Sequence, residues 1–322
     1  MQRHRLALGV LLLALASAPA RGEAPAKKGG FSLAGLNVDA ALIVEGGPGK
    51  DGIRSVDQPV FVELPQAVWL TKETEVLGVK LGEDARAYPV RMLEYHQIVN
   101  DVVNGQPIAV SYDPLAGAPR AWSRSAGGKT LRFGVSGLLY NHNFLMYDRE
   151  TESLWCQFSG RAIAGPLAGK QLARVPVRQE TAVTWIARVG DTRLLRHPDP
   201  EHIHYSMSPY SAYWLQDRLL FPVGARDERY HAKELVLGVT VGDVSRAYLG
   251  SILTREGGKV DERIGHRRVQ LRYSSETGTF DWEVDDGVQV DESYWLAWKA
   301  FHPNGEVWRD GAKPKPAAET KP

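Results

Sequence analysis

Apolar and polar residues alternate over short stretches along most of the chain, with Gly-centred turns between them, a pattern that predicts β-hairpins rather than long helices. VLGVKL (76–81) and ARAYPV (85–90) flank Gly82-Glu83-Asp84. DVV (101–103) and PIAVSY (107–112) flank Asn104-Gly105, a pair that accepts positive φ and favours a tight turn. Helical periodicity is confined to two places. Pro89 can open a short helix through His96, with Met92, Leu93 and His96 on one side, and Asp291 can cap ESYWLAWKAF, in which Trp295, Trp298 and Phe301 form an apolar stripe.

The fold expectation is therefore α+β but mainly β: two duplicated β-rich units with short helices, packed as one compact body. The duplication is read from self-comparison at an offset of 160 residues. Val76-Leu77-Gly78-Val79 matches Val236-Leu237-Gly238-Val239, and Arg86-Ala87-Tyr88 matches Arg246-Ala247-Tyr248. Gly82, Leu93, Asp101 and Gly105 find Gly242, Leu253, Asp261 and Gly265. The register slips by one past Tyr112 and Tyr273, and Trp185-Ile186-Ala187 then aligns with Trp295-Leu296-Ala297. These matches place unit one at 51–197, with an insertion at about 123–180, and unit two at 206–308, with 198–205 as a solvated, Pro-containing linker.

The termini read differently. A basic start, MQRHR, precedes an apolar run from Leu6 to Ala16 and the small residues Ala18-Pro19-Ala20, the pattern of a secretory signal peptide over 1–20. The run is short of a membrane span, so the mature chain is expected to be exported and soluble, in the periplasm or secreted. Residues 21–50 read as a tether and 309–322 as a disordered tail. Lys and Arg number 39 against 38 Asp and Glu, which offers no basic excess for a phosphate backbone and argues against a nucleic-acid partner. Cys156 is the only cysteine, which excludes an intramolecular disulfide and any multi-thiolate metal site.

Candidate chemistry gathers in unit one. His96 and Asn100 in YHQIVND (95–101) have no counterpart in unit two, nor do Asp113 and Pro114 in YDPLAG (112–117), whereas Asp101 does. The insertion adds Tyr140, Asn141, His142, Trp155 and Cys156. Together with Tyr112 these residues define a polar pocket if the three segments converge. His96, Asp113 and His142, with Cys156 as a further donor, would suit zinc or copper. A rival set, His202, His204 and Met207, lies in the linker, where imidazole and thioether suit copper. Each member also has a plainer role: His96 as a satisfied core histidine, Asp113 as a turn former, Cys156 as an inert buried thiol, Asn141-His142-Asn143 as a hairpin cap. No phosphate-binding Gly loop, GxSxG elbow, HExxH or dinucleotide fingerprint occurs.

Several long strings carry a family resemblance: GGPGKDGIRSVDQPVFV (46–62), VLGVKLGEDARAYPVRMLEYHQIVNDVVNGQPIAVSYDPLAG (76–117), GVSGLLYNHNFLMYDRETESLWCQFSGRAIAGPLAG (134–169) and WLAWKAFHPN (295–304). The chain resembles the exported bacterial and archaeal proteins of the domain-of-unknown-function 3179 family over roughly 46–308. Many relatives read Tyr-Cys-Pro-Leu-Cys-Gly where this chain has Tyr112-Asp113-Pro114-Leu115-Ala116-Gly117, so the dithiol the resemblance implies is replaced here by Asp113 and Ala116. Cys156 stands where relatives commonly carry serine, and a lone thiol cannot cycle through an intramolecular disulfide. Three functions are carried forward in order: an exported binding or scaffold module whose pocket takes a small molecule or peptide, a zinc, copper or redox protein using His96, Asp113 and His142, and a hydrolase or lyase in which Asp101 or Asp113 orients a His96 base.

Overall fold

The computed structural model describes residues 26–309, and these are mainly β, with 42% of residues in strands against 13% in helices. Residues 1–20, expected to be a signal peptide, the start of the expected tether and almost all of the expected C-terminal tail lie outside the described residues. No helix among the described residues is long and apolar enough to cross a membrane.

In chain order the elements that frame the site are β1 (Ile43–Glu45), β2 (Phe61–Val62), β3 (Glu75–Leu81), β4 (Asp84–Pro89), α1 (Val90–His96), β5 (Ile98–Val103), β6 (Gln106–Asp113) and β7 (Ala118–Ser123). Next come β8 (Phe133–Tyr140), β9 (Asn143–Asp148), β10 (Leu154–Cys156), β11 (Ala162–Ala164), β12 (Arg174–Val175), β13 (Arg178–Thr181), α2 (Ala182–Val189) and β14 (Arg193–Leu195). The remainder are α3 (Ser211–Trp214), β15 (Leu235–Val241), β16 (Val244–Leu249), α4 (Gly250–Arg255), β17 (Lys259–Ile264), β18 (Arg267–Ser274), β19 (Thr279–Val284), β20 (Gln289–Tyr294), α5 (Trp295–Phe301) and β21 (Glu306–Val307). Five sheets result, in the strand orders β13-β3-β4-β14-β2, β12-β7-β6-β5, β11-β10-β9-β8-β1, β20-β15-β16-β21 and β17-β18-β19.

Local sequence explains the hairpins. Gly82, at φ 57°, closes β3 onto β4 with Leu81 opposite Asp84, and Asn104-Gly105, at φ 46° and 73°, closes β5 onto β6 with Val103 opposite Gln106. A second constraint is long-range. A Cβ on Gly78 would stand 2.3 Å from the Trp185 ring, and one on Gly238 would stand 2.1 Å from Trp298, so each strand is stripped to glycine where the indole of α2 or α5 lies on it.

The registers refine the sequence alignment. The β5–β6 and β17–β18 turns align Asp101 with Glu262 rather than Asp261, so the one-residue slip falls between the helix and the following strand. Both carboxylates accept a hydrogen bond from a tyrosine hydroxyl on the preceding hairpin, Tyr88 for Asp101 at 2.6 Å and Tyr248 for Glu262. Likewise Trp185 corresponds to Trp298, not Trp295, because Thr181 pairs with Glu75 as Tyr294 pairs with Leu235. Asp291 does not cap a helix. It lies within β20, and Tyr294 is the residue that precedes α5, because the strand pairing outlasts the local capping signal.

Two segments read as loose are packed. Phe31, Leu33 and Ile43 of the expected tether are buried, and β1 pairs with β8. The chain from 196 to 234, expected to be a solvated linker at 198–205, is a strap that buries Tyr205, Tyr213 and Tyr230. Aromatic residues, rather than regular strand pairing, anchor it.

Candidate functional site

Two histidines bolt the strap to the strands beneath. His96, the last residue of α1, donates from Nδ1 to the Arg54 carbonyl at 2.8 Å, which leaves Nε2 to accept the Tyr205 hydroxyl at 2.7 Å. His142 is held on both sides as well: Nε2 lies 3.1 Å from the Tyr213 hydroxyl, which also reaches the Leu115 carbonyl at 2.9 Å, and Nδ1 meets the Phe221 backbone, 3.2 Å from its carbonyl and 3.3 Å from its amide. Burial holds both imidazoles below the usual histidine range and so favours the neutral forms these bonds require.

Asp113 is fully buried at the end of β6 and is saturated with donors. Its Oδ1 accepts the Leu115 and Ala116 amides at 2.9 and 3.2 Å, and its Oδ2 accepts the Phe144 amide at 2.8 Å and Asn143 Nδ2 at 2.7 Å. Burial pushes its pKa up to about 6 against these four bonds. Asn143 extends the network to Gln157 Oε1 at 2.8 Å, and Gln157 passes it to Ser111 at 3.1 Å. Cys156 Sγ stands 3.9 Å from Asn143 Oδ1 and is also hydrogen-bonded by Phe158 and Ser159, and burial raises its pKa above the ordinary thiol value, as expected of a buried thiol. The network ties β6 and β9 to the end of β10 and is structural in its connections.

The expected pocket therefore divides. Tyr112, Asp113, His142 and Cys156 belong to one neighbourhood, linked through Asn143 and Tyr213. His96 lies in another, against Arg54 and Tyr205, and neither Asp101 nor Asp113 orients it, which removes the expected basis for a His96 general base. Asn100 holds the Phe133 backbone in both directions, and Trp155 Nε1 donates to Asp148 at 2.8 Å in the core. Tyr140 packs edge-on to Phe301, and Asn141 accepts the Gly224 amide at 2.8 Å. Among the described residues no group of three or more His, Cys, Asp or Glu side chains could hold a metal ion, so His96, Asp113 and His142 do not form the expected zinc or copper site. His202 is exposed and bonded to Asp199 at 2.7 Å, while His204 and Met207 are exposed on the strap.

A cleft of about 940 Å³ opens between the start of β3, α1, the strap and β20. Its walls carry Trp69, Trp214, Tyr112 and Tyr294 together with the carboxylates of Glu75 and Glu94. Glu94 is buried on α1 and accepts Arg91 at 3.1 Å. Its carboxyl is pushed up first by burial and further by Glu75. Glu75 opens to the cleft but is enclosed by protein on its other sides, and that loss of bulk water raises its pKa too. Gln179 Nε2 donates to it at a long 3.4 Å. The phenols of Tyr112 and Tyr294 are held well above their ordinary value by burial and by these carboxylates. Gly117, at φ 57°, lets the Tyr294 ring close over the Asp113 loop, since a Cβ there would sit 2.9 Å from that ring.

Sequence reading reached Tyr112 but missed Glu75, Glu94 and Tyr294. The signal was available in the comparison of units, because Glu75 faces Leu235 and Glu94 faces Thr254. Residues 69–75, α1, the strap and Tyr294 are far apart in sequence, and only the fold closes them around one space.

No curated protein and no solved structure matches the chain. A family model described as "Protein of unknown function (DUF3179)" matches residues 50–291, which is most of its length and includes every cleft wall except Tyr294. The chain belongs to the DUF3179 family.

Proposed function

We propose that the protein is an exported binding module, and that the cleft lined by Glu75, Glu94, Tyr112 and Tyr294 takes a small polar ligand. The observation that carries this reading is the combination of an aromatic-walled concavity with carboxyl groups of raised pKa, in a chain whose buried His96 and His142 are committed to internal bonds. Thermal-shift screening of amines, carboxylates and sugars against wild type and a Trp214→Ala/Tyr294→Ala variant tests it. A ligand that stabilises wild type but not the variant supports the reading, and ligands that act equally on both remove it.

Export rests on the charged start, the apolar run and the Ala18-Pro19-Ala20 site. Recovery of a periplasmic or secreted form beginning near residue 21 is the expected outcome, and an intact Met1 form in the cytoplasm contradicts it.

We also propose that the two β-rich units arose by duplication. Support comes from the shared strand order of β13-β3-β4-β14 and β20-β15-β16-β21, the paired Gly78–Trp185 and Gly238–Trp298 contacts, and the two tyrosine–carboxylate bonds. Under this proposal the cleft is walled by β3 and α1 of the first unit, by Tyr294 of the second and by the strap.

A further inference from the structure

The cleft has an imbalance that its aromatic walls make specific. Glu75 forms no ion pair among the described residues. Arg91, the cation that acts on it, is hydrogen-bonded to Glu94 at 3.1 Å. Lys233, the other cation on the cleft wall, is turned into the strap: its Nζ donates to the Tyr213 and Gln216 carbonyls and lies 3.7 Å from the centre of the Tyr213 ring. One carboxylate, on a residue that the cleft leaves exposed, thus faces that concavity with no fixed counter-ion. A second acid group stands close by. Glu292 is nine-tenths buried, its carboxyl is hydrogen-bonded by the backbone amide of the cleft residue Gln179, and its Oε1 has no partner.

Resting on the binding-cleft reading, we propose that the ligand carries an aliphatic ammonium group, which pairs with Glu75 while its methylenes and charge lie against the aromatic walls supplied by Trp69, Trp214, Tyr112 and Tyr294. The chemistry of those walls discriminates. Aromatic faces attract a cation and bury methylene groups, whereas an anionic ligand would meet Glu75 and Glu94 and have only an Arg91 already engaged. A neutral hydroxyl compound would gain the packing but leave the Glu75 charge uncompensated. A free diamine and a lysine side chain of a peptide share this chemistry.

Isothermal titration calorimetry on the full chain tests the proposal with 1,5-diaminopentane, a lysine derivative blocked at both backbone ends, 1-pentanol and pentanoate. The ammonium probes are expected to bind and the alcohol and carboxylate to bind at least about tenfold more weakly, with Glu75→Gln removing that preference and the exposed control Glu63→Gln retaining it. Tighter binding of the diamine points to a free polyamine, and tighter binding of the blocked lysine points to a peptide. Equal binding of alcohol and amine, or an amine affinity unchanged by Glu75→Gln, overturns the ammonium assignment while leaving a binding cleft. If no probe of any class binds to wild type, both the assignment and the binding-cleft reading fall. Far-UV circular dichroism of Glu75→Gln, matched to wild type, separates a lost ligand contact from a lost fold.

Discussion

Arg120 on β7 brings its guanidinium within 3.3 Å of the Asp291 carboxylate on β20, with both side chains almost fully buried. The same guanidinium donates to the Phe158 carbonyl at 3.0 Å, the Pro119 carbonyl at 2.7 Å and the Glu292 carbonyl at 3.0 Å, and lies 4.1 Å from the centre of the Phe158 ring. Burial draws its pKa down to about 10, and burial likewise opposes ionisation of Asp291, but Arg120 and Arg174 outweigh that and hold the carboxyl below its ordinary value. One charged side chain therefore joins β7 to β20, whose last residue, Tyr294, forms a wall of the cleft.

Removing one member of this pair strands the other. Arg120→Ala is expected to cost roughly 3–5 kcal/mol, because it leaves Asp291 buried with only Arg174 and frees three carbonyls. Urea unfolding of the single and double variants checks this: Asp291→Ala added to Arg120→Ala is expected to cost less than the sum of the two single losses, and strict additivity contradicts the interlock.

Glu292 offers a stabilising substitution. Burial pushes its carboxyl up to about 8 from an ordinary 4.5. Because the folded pKa is the higher one, the stability it supports is complete below the unfolded value and is lost as pH rises through about 8. Glu292→Gln, which keeps the shape of the protonated acid, is expected to raise stability at pH 9 by roughly 2 kcal/mol and to change little at pH 4. Denaturant midpoints at the two pH values give the answer.

The histidine bolts have the opposite sign. His96 and His142 are held below their ordinary value of 6.5, so the folded chain binds fewer protons than the unfolded one. Their contribution is complete above that value and is lost as pH falls through it toward the lowered folded values. Asp113 and Glu292 titrate with the reverse sign, so the histidine share is read as a difference. The gap in stability between wild type and a His96→Gln/His142→Gln variant is expected to narrow from pH 7.5 to pH 5. A constant gap removes the claim that the neutral imidazoles hold the strap.

Gly117 should be intolerant for two reasons that can be separated. Its φ of 57° disfavours any side chain, and a Cβ would meet the Tyr294 ring at 2.9 Å. Gly117→Ala is expected to cost about 1–3 kcal/mol, of which the steric part is recovered by adding Tyr294→Ala. Equal cost in both backgrounds shows that backbone strain alone is responsible.

How much of this was legible in the sequence depends on the range of the interaction. Gly82 and Asn104-Gly105 announced their hairpins because turn chemistry is local. Asp291 misled because a capping residue and a strand residue look alike until β15 claims the backbone. His96 and His142 stood out as unusual but were joined to each other, whereas each is matched to its own tyrosine on a strap that carries little periodicity. Asp113 was read both as a ligand and as a turn former, and its bonds to Leu115 and Ala116 show the turn. Glu75 and Glu94 passed unnoticed since a single carboxylate on a strand or helix reads as a solvated surface until Tyr294 and the strap enclose it.

Resonances of the tryptophan indole N–H groups test the central claim most directly, because the indoles sample separate parts of the molecule. Trp69 and Trp214 line the cleft, Trp155 and Trp295 are in the core, and Trp282 and Trp308 line smaller concavities elsewhere. On titration with a ligand found by the screen, the cleft account predicts that the Trp69 and Trp214 signals move with the same affinity while Trp282 and Trp308 stay in place. Movement at Trp282 or Trp308, with Trp69 and Trp214 unchanged, contradicts it.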